Sequence, residues 1–204
     1  MRTRIRFALT CAAGAALAAG ALAGLARAAP RVTPTLAMTL APAKSATRLR
    51  VTSSAFRNGR AVPRRYTQFG ANESPPLRWT RGPRGTRSYV VLVEDSGVPR
   101  PQPIFHWVLY NVPSDVVSLP ANMSKAPDPP QPAGAVNGLN IRRQPGYMGP
   151  RPPKGQTHPY HFEVFALDEK LSLSPGEATR NTVVHAMEGH ILAEGQLVGR
   201  VTGQ

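Results

Sequence analysis

The sequence predicts a mainly β domain, and three observations carry that prediction. Two runs, Tyr89-Val-Val-Leu-Val93 and Ile104-Phe-His-Trp-Val-Leu-Tyr-Asn111, are β-branched, aromatic and of strand length. Residues 120–157 hold nine prolines, too many for a helix or a central strand. One stretch of helical spacing, through Val183, Val184, Met187, Ile191 and Leu192, comes near the C-terminus. Several strands, irregular loops and one clear helix argue for an antiparallel sheet with a helix packed on it.

In chain order, the first 28 residues have the form of an export signal. Arg2, Arg4 and Arg6 precede an Ala/Leu-rich run from Phe7 to Leu25, and Ala26-Arg-Ala28 is an A-x-A cleavage site. Cleavage there leaves 176 residues, enough for one domain with its own core, in the periplasm or outside the cell. Cys11 is the only cysteine, so the mature chain would have neither a disulfide nor a thiolate metal site. Residues 29–46, rich in Ala, Pro and Thr, read as a flexible leader, with the domain from 47 to 204.

Leu49 and Val51 alternate with arginines as in a half-exposed strand, and Gly82-Pro-Arg-Gly85 has the chemistry of a tight turn. Tyr89–Val93, 104–112 and 160–167 are the next strands. Ser174-Pro-Gly-Glu177 reads as a helix start, Gly195 as its stop, and Gln196 to Thr202 as a final edge strand. Alternation along 104–110 would put Ile104, His106, Val108 and Tyr110 on one face and Phe105, Trp107 and Leu109 on the other.

The formal charge is +14, falling to +10 without Arg2, Arg4, Arg6 and Arg27. The excess is local. Residues 29–87 carry twelve basic groups against Glu73 alone, whereas 88–204 carry nine basic and ten acidic groups. Such a field suits solubility, and it equally suits an anionic envelope surface facing residues 48–87. No specific nucleic acid is expected as a partner.

A buried histidine needs partners. His106 sits inside an apolar strand, Asp95 follows another and His158 opens a third, with Gly149-Pro-Arg-Pro-Pro-Lys-Gly155 between them. Asp95, His106, His158 and this rigid loop are what a small polar pocket in an apolar wall would use. Prolines in such a loop hold the backbone in place before a ligand arrives. His161 alternates away and is expected to serve another polar group. No G-x-S-x-G elbow and no H-E-x-x-H motif occurs, so neither a catalytic residue nor a metal or other cofactor is assigned.

The order Asn72-x-Ser-Pro-Pro-Leu-x-Trp79, Asp95-x-x-x-Pro99, His106-Trp-Val-Leu-Tyr-Asn111, Gly149-Pro-x-Pro-Pro-x-Gly155, His158-x-Tyr-His-Phe162 and Ala186-Met-Glu-Gly-His190 resembles the phosphatidylethanolamine-binding protein family, in its bacterial YbhB/YbcL, Raf kinase inhibitor-like branch. The resemblance implies a large antiparallel sheet, a smaller second sheet and peripheral helices. It also implies an anion pocket accepting phosphate or phosphorylated headgroups, formed by Asp95, His106, Gly149, Pro152, Pro153, His158 and Tyr160, with Pro76 and Arg151 at the rim. Three positions depart from the family pattern: Gly97 replaces an acid, Pro159 an arginine, and Arg151 a cysteine common in bacterial relatives. The reading is a non-catalytic binding or modulator protein for a small anionic ligand. Inhibition of a protein partner such as a protease, or hydrolysis by the His/Asp cluster, are the alternatives. A kinase partner would lie in another compartment, and a homodimer is compatible with the sequence.

Overall fold

The computed structural model describes residues 32–204; the expected signal peptide lies outside them. No helix among the described residues is long and apolar enough to cross a membrane. The chain forms α1 (Ala37–Leu40), β1 (Val51–Thr52), β2 (Leu77–Trp79), β3 (Ser88–Asp95), β4 (Ile104–Pro113), β5 (Ser118–Leu119), β6 (Val136–Asn137), β7 (Thr157–Leu167), α2 (Arg180–Met187) and β8 (Ile191–Thr202). A five-stranded sheet runs β6-β4-β3-β7-β8, and a three-stranded sheet runs β1-β2-β5, with every strand pair antiparallel. The expected architecture of one large sheet, one small sheet and peripheral helices is present.

β3 is buried along its whole length, as expected of a strand paired on both sides and covered on both faces. Its alternation divides the interior. Tyr89, Val91 and Val93 join Trp79, Trp107 and Phe162 in the core between the two sheets. Val90 and Leu92 join Val108, Phe165, Val183 and Met187 in a second core under the helices.

Three local expectations are corrected. Residues 32–46 are not a free leader: Ala37 and Ala41 are buried in the helix-side core, and the Ala37 amide donates to Glu94 Oε2 at 2.9 Å. The Ala/Pro/Thr composition hid this docking, because alanine gives little periodic signal yet packs closely. Ser174-Pro-Gly-Glu177 does not begin the helix. Ser174 Oγ donates to Glu177 Oε2 at 2.6 Å and closes a separate turn, while Thr179 caps α2 through a box with Thr182. Finally, α2 stops at Met187 because Gly189 adopts φ +77°. Ile191, Leu192 and Gly195 therefore belong to β8.

Gly195, Gly199 and Gly203 recur every four residues in and after β8. A Cβ at these positions would collide with the Leu49 carbonyl, with Val62 and with the Pro153 carbonyl, respectively. They are crossing points. Segment 44–62 runs along the outer edge of β8, with Leu49 N–H donating to Glu194 O at 2.8 Å, Gly59 N–H to Val198 O at 2.7 Å and Val62 N–H to Arg200 O at 2.9 Å.

Candidate functional site

Asp95, His106, His158 and Tyr160 come together at one end of the large sheet. Asp95 lies opposite Tyr160 in the β3–β7 register and opposite Ile104 in the β3–β4 register. His158 Nδ1 donates to Asp95 Oδ2 at 2.9 Å, with Oδ1 at 3.1 Å. The His106 ring meets Tyr160 edge-on at 5.2 Å. All four are buried.

Simple alternation misplaces His106. Phe105 pairs with Glu94 and Trp107 with Val93, so His106 is the extra residue of a β-bulge. The bulge turns His106 towards Tyr160, on the side that holds Trp107 in the inter-sheet core. Phe105, Val108 and Tyr110 pack on the helix side instead.

The hydrogen-bond inventory narrows what these groups can do. His106 Nδ1–H donates to the Met148 carbonyl at 2.8 Å, which makes Nε2 the lone-pair nitrogen of a neutral ring. Burial lowers the His106 pKa, opposed in part by the Met148 carbonyl and the Asp95 charge. Among the described residues, His106 Nε2 and Tyr160 Oη have no hydrogen-bond partner. Burial first, then the Asp95 charge, pushes the Tyr160 pKa up, while the neighbouring Arg151 backbone opposes the shift. The phenol is a donor.

His158, expected to face a ligand, is engaged at both nitrogens. Nδ1 serves Asp95, and Nε2 lies 3.1 Å from the Gln156 amide oxygen. That contact is Nε2–H donating in an imidazolium or, with the amide turned, the amide donating to a neutral ring; either way Nε2 is occupied. A ligand reaches it only by displacing the exposed Gln156 side chain. Gly97 explains itself here. Its amide donates to Asp95 Oδ1 at 2.8 Å, and a Cβ would land on the His158 ring. The missing acid at 97 is therefore the space that His158 fills.

The proline loop borders the cluster at its first residues. The Gly149 amide donates to Asn72 Oδ1 at 2.7 Å, and its carbonyl accepts from Gln68 Nε2 at 2.6 Å. The carbonyls of Pro152 and Pro153 lie instead against Gly203. Arg151 is exposed, so its charge contributes a long-range field, and only its backbone borders Tyr160. Pro76 is not at this rim; it lines a cleft with Thr52, Ser53 and Ser118 at the small sheet. His161 does serve another polar group: its Nε2 lies 2.9 Å from Ser96 Oγ and its Nδ1 2.8 Å from Gln196 Oε1. The reading of residue types overlooked Gln156 and the role of Asn72. The Asn72 φ of +57°, in a turn just before Ser-Pro-Pro, is a signal a sequence carries only weakly.

Comparison with known proteins agrees with this fold. The family model described as phosphatidylethanolamine-binding protein matches residues 52–202. The chain belongs to that family. A UPF0098 protein of Methanothermobacter thermautotrophicus is 41% identical over 145 residues, covering 71% of this chain and 93% of its own. The crystal structure of E. coli YbcL, described as a member of the mammalian PEBP family, aligns with a TM-score of 0.71 at 27% identity over 78% of this chain and all of its own. A putative PEBP homologue from Chlamydia trachomatis, CT736, gives 0.68 at 34% identity, with 78% and 100% covered. Neither the matched names nor the fold assigns a ligand to this chain.

Proposed function

We propose that this PEBP-family chain is an exported, non-catalytic binding protein whose buried pocket takes phosphate or a phosphorylated headgroup. One observation carries the reading: two buried polar atoms, His106 Nε2 and Tyr160 Oη, lack partners beside the Asp95–His158 pair. Burying a polar atom without a partner costs about 1–3 kcal/mol, and a single oxyanion offsets both. Tyr160 donates to one oxygen. His106 accepts from a protonated oxygen, or takes up a proton and donates to a bare one.

The Asp95 carboxylate disfavours a ligand that brings charge without a proton. A monoanionic phosphate, P–OH included, fits best. A phosphodiester has no proton to bring, so its binding must draw one onto His106. Affinity for dimethyl phosphate therefore rises as pH falls from about 8 to about 6, with about one proton taken up per ligand. Titration calorimetry in buffers of different ionisation enthalpy measures both quantities. Flat affinity with no proton uptake would mean that His106 is not an anion ligand.

Export itself is tested by N-terminal sequencing of material recovered outside the cytoplasm, expected to begin near Ala29. An anionic envelope surface as partner is supported by Arg60, Arg64 and Arg200, which line one cleft of about 450 Å³. The Ser96–His161–Gln196 chain is what favours a hydrolase as second reading. Gln196 lacks the charge that stabilises an imidazolium, and the Gly97 amide beside Ser96 is already committed to Asp95. Ser96 should accordingly stay unlabelled by a serine-reactive fluorophosphonate; labelling would favour catalysis.

A further inference from the structure

We infer that Val32 and Thr33, carried on the docked N-terminal segment, are part of the ligand site, walling an outer compartment that takes the uncharged organic portion of a phosphate ester. The inference rests on the phosphate reading above and extends it to the rest of the ligand.

A cleft of about 660 Å³ opens on the solvent side of His158. Val32 and Thr33 form one wall, Val98 and Pro99 another, and Thr157 and His158 the floor towards the pocket. Among the described residues, no lysine, arginine, aspartate or glutamate lines it. Methyl groups, a pyrrolidine ring and hydroxyls suit a polyol or a short aliphatic group, and they offer nothing to pair a second charge. His158 is common to the two compartments, and Gln156, which also lines the cleft, occupies its outward nitrogen. A phosphate seated beside His106 and Tyr160 would extend its ester arm past the displaced Gln156 into this space.

The wall is held by built contacts. The Thr35 amide donates to the Pro101 carbonyl at 2.9 Å. The Thr35 carbonyl accepts from Arg180 Nη2 at 2.8 Å, and the Ala37 amide donates to Glu94. Arg180 and Glu94 are themselves a buried ion pair, 3% and 0% exposed. Val32, Thr33, Thr35 and Ala37 precede residue 52, where the match to the family model begins, whereas the partners that hold them lie within it. One wall of the cleft is thus carried by a segment outside the matched part of the chain.

The test compares inorganic phosphate with glycerol 3-phosphate on the full chain and on the Val32→Gly/Thr33→Gly variant, by titration calorimetry at one pH. Both positions are exposed, so the variant keeps its core, and a thermal melt checks this. The wild type is expected to bind glycerol 3-phosphate about ten-fold more tightly than phosphate, because the cleft removes its carbon skeleton from water. The variant should bind the two alike, with its phosphate affinity unchanged. Phosphate binding without that preference in the wild type, or the same preference in the variant, overturns the wall and leaves the pocket standing. No binding of either probe overturns the pocket reading, and this inference with it.

Discussion

Glu94 and Asp95 are neighbours on β3 that face opposite sides of the same sheet, Glu94 buried in an ion pair with Arg180 and Asp95 in a hydrogen-bonded pair with His158. On the inter-sheet side, Asp95 holds His158 beside two unpartnered atoms and a solvent cleft. On the helix side, Glu94 holds Arg180 beneath the N-terminal segment, next to Glu163, whose two oxygens also lack partners among the described residues. The first arrangement borders a solvent cleft through His158, and its vacant hydrogen-bonding capacity suits a ligand. The second is sealed by residues 35–41, and its unpaired carboxyl suits a proton. Burial and the Glu94 charge hold the Glu163 pKa well above the ordinary carboxylate range, against the Met38 amide and the Arg180 charge.

The contrast breaks most visibly at Arg180. Arg180→Met leaves Glu94 buried without its cation beside a second carboxyl, at a cost of about 3–5 kcal/mol. Urea denaturation at neutral pH should show that loss, and the amides of Ala37 and Ala41 should exchange faster. A loss under about 1 kcal/mol would mean that the helix-side pair is not what holds the segment down.

On the other side, Gly97→Ala should cost about 1–3 kcal/mol by overpacking. Because the new methyl group drives the His158 ring off Asp95, phosphate binding should weaken while residues 35–41 keep their protection. Equal weakening of both regions would show that the two faces are mechanically one.

The smallest effect sharpens the comparison through pH. The Glu163 pKa is raised by folding, so its contribution is fully present below the unfolded value, near 4.3, and is lost as pH rises through the folded value. His106 is shifted the other way, so its contribution is present above about 6.5 and fades as pH falls. Glu163→Gln should flatten only the alkaline side of the stability profile, read as Tm against pH. A matching change on the acid side would assign the titration to a different group.

Much of this was legible in the sequence, and what was not has a physical cause. The strands and the grouping of Asp95, His106 and His158 follow from β-branched runs and the positions of polar residues within them, and Tyr160 joins that set through the family resemblance. The bulge at His106 leaves no trace in a composition of alternating apolar residues, because it depends on how β4 registers with β3. The Glu94, Glu163 and Arg180 cluster was invisible for a related reason: charged residues read as solvated until tertiary contacts bury them. Gly97 could be read only as a lost acid, since the reason for glycine is the ring that lies over it.

The covered edge of β8 bears on how the molecule behaves in company. A twelve-residue edge strand would ordinarily present a template for pairing with another chain. Here that template is already occupied by the molecule's own segment 44–62, and Gly195 and Gly199 let it lie close. Arg48, Arg50, Arg57 and Arg60 ride on this cover and are exposed, so copies meeting along it repel one another. The arginine excess is then placed to disfavour edge-to-edge pairing along this strand.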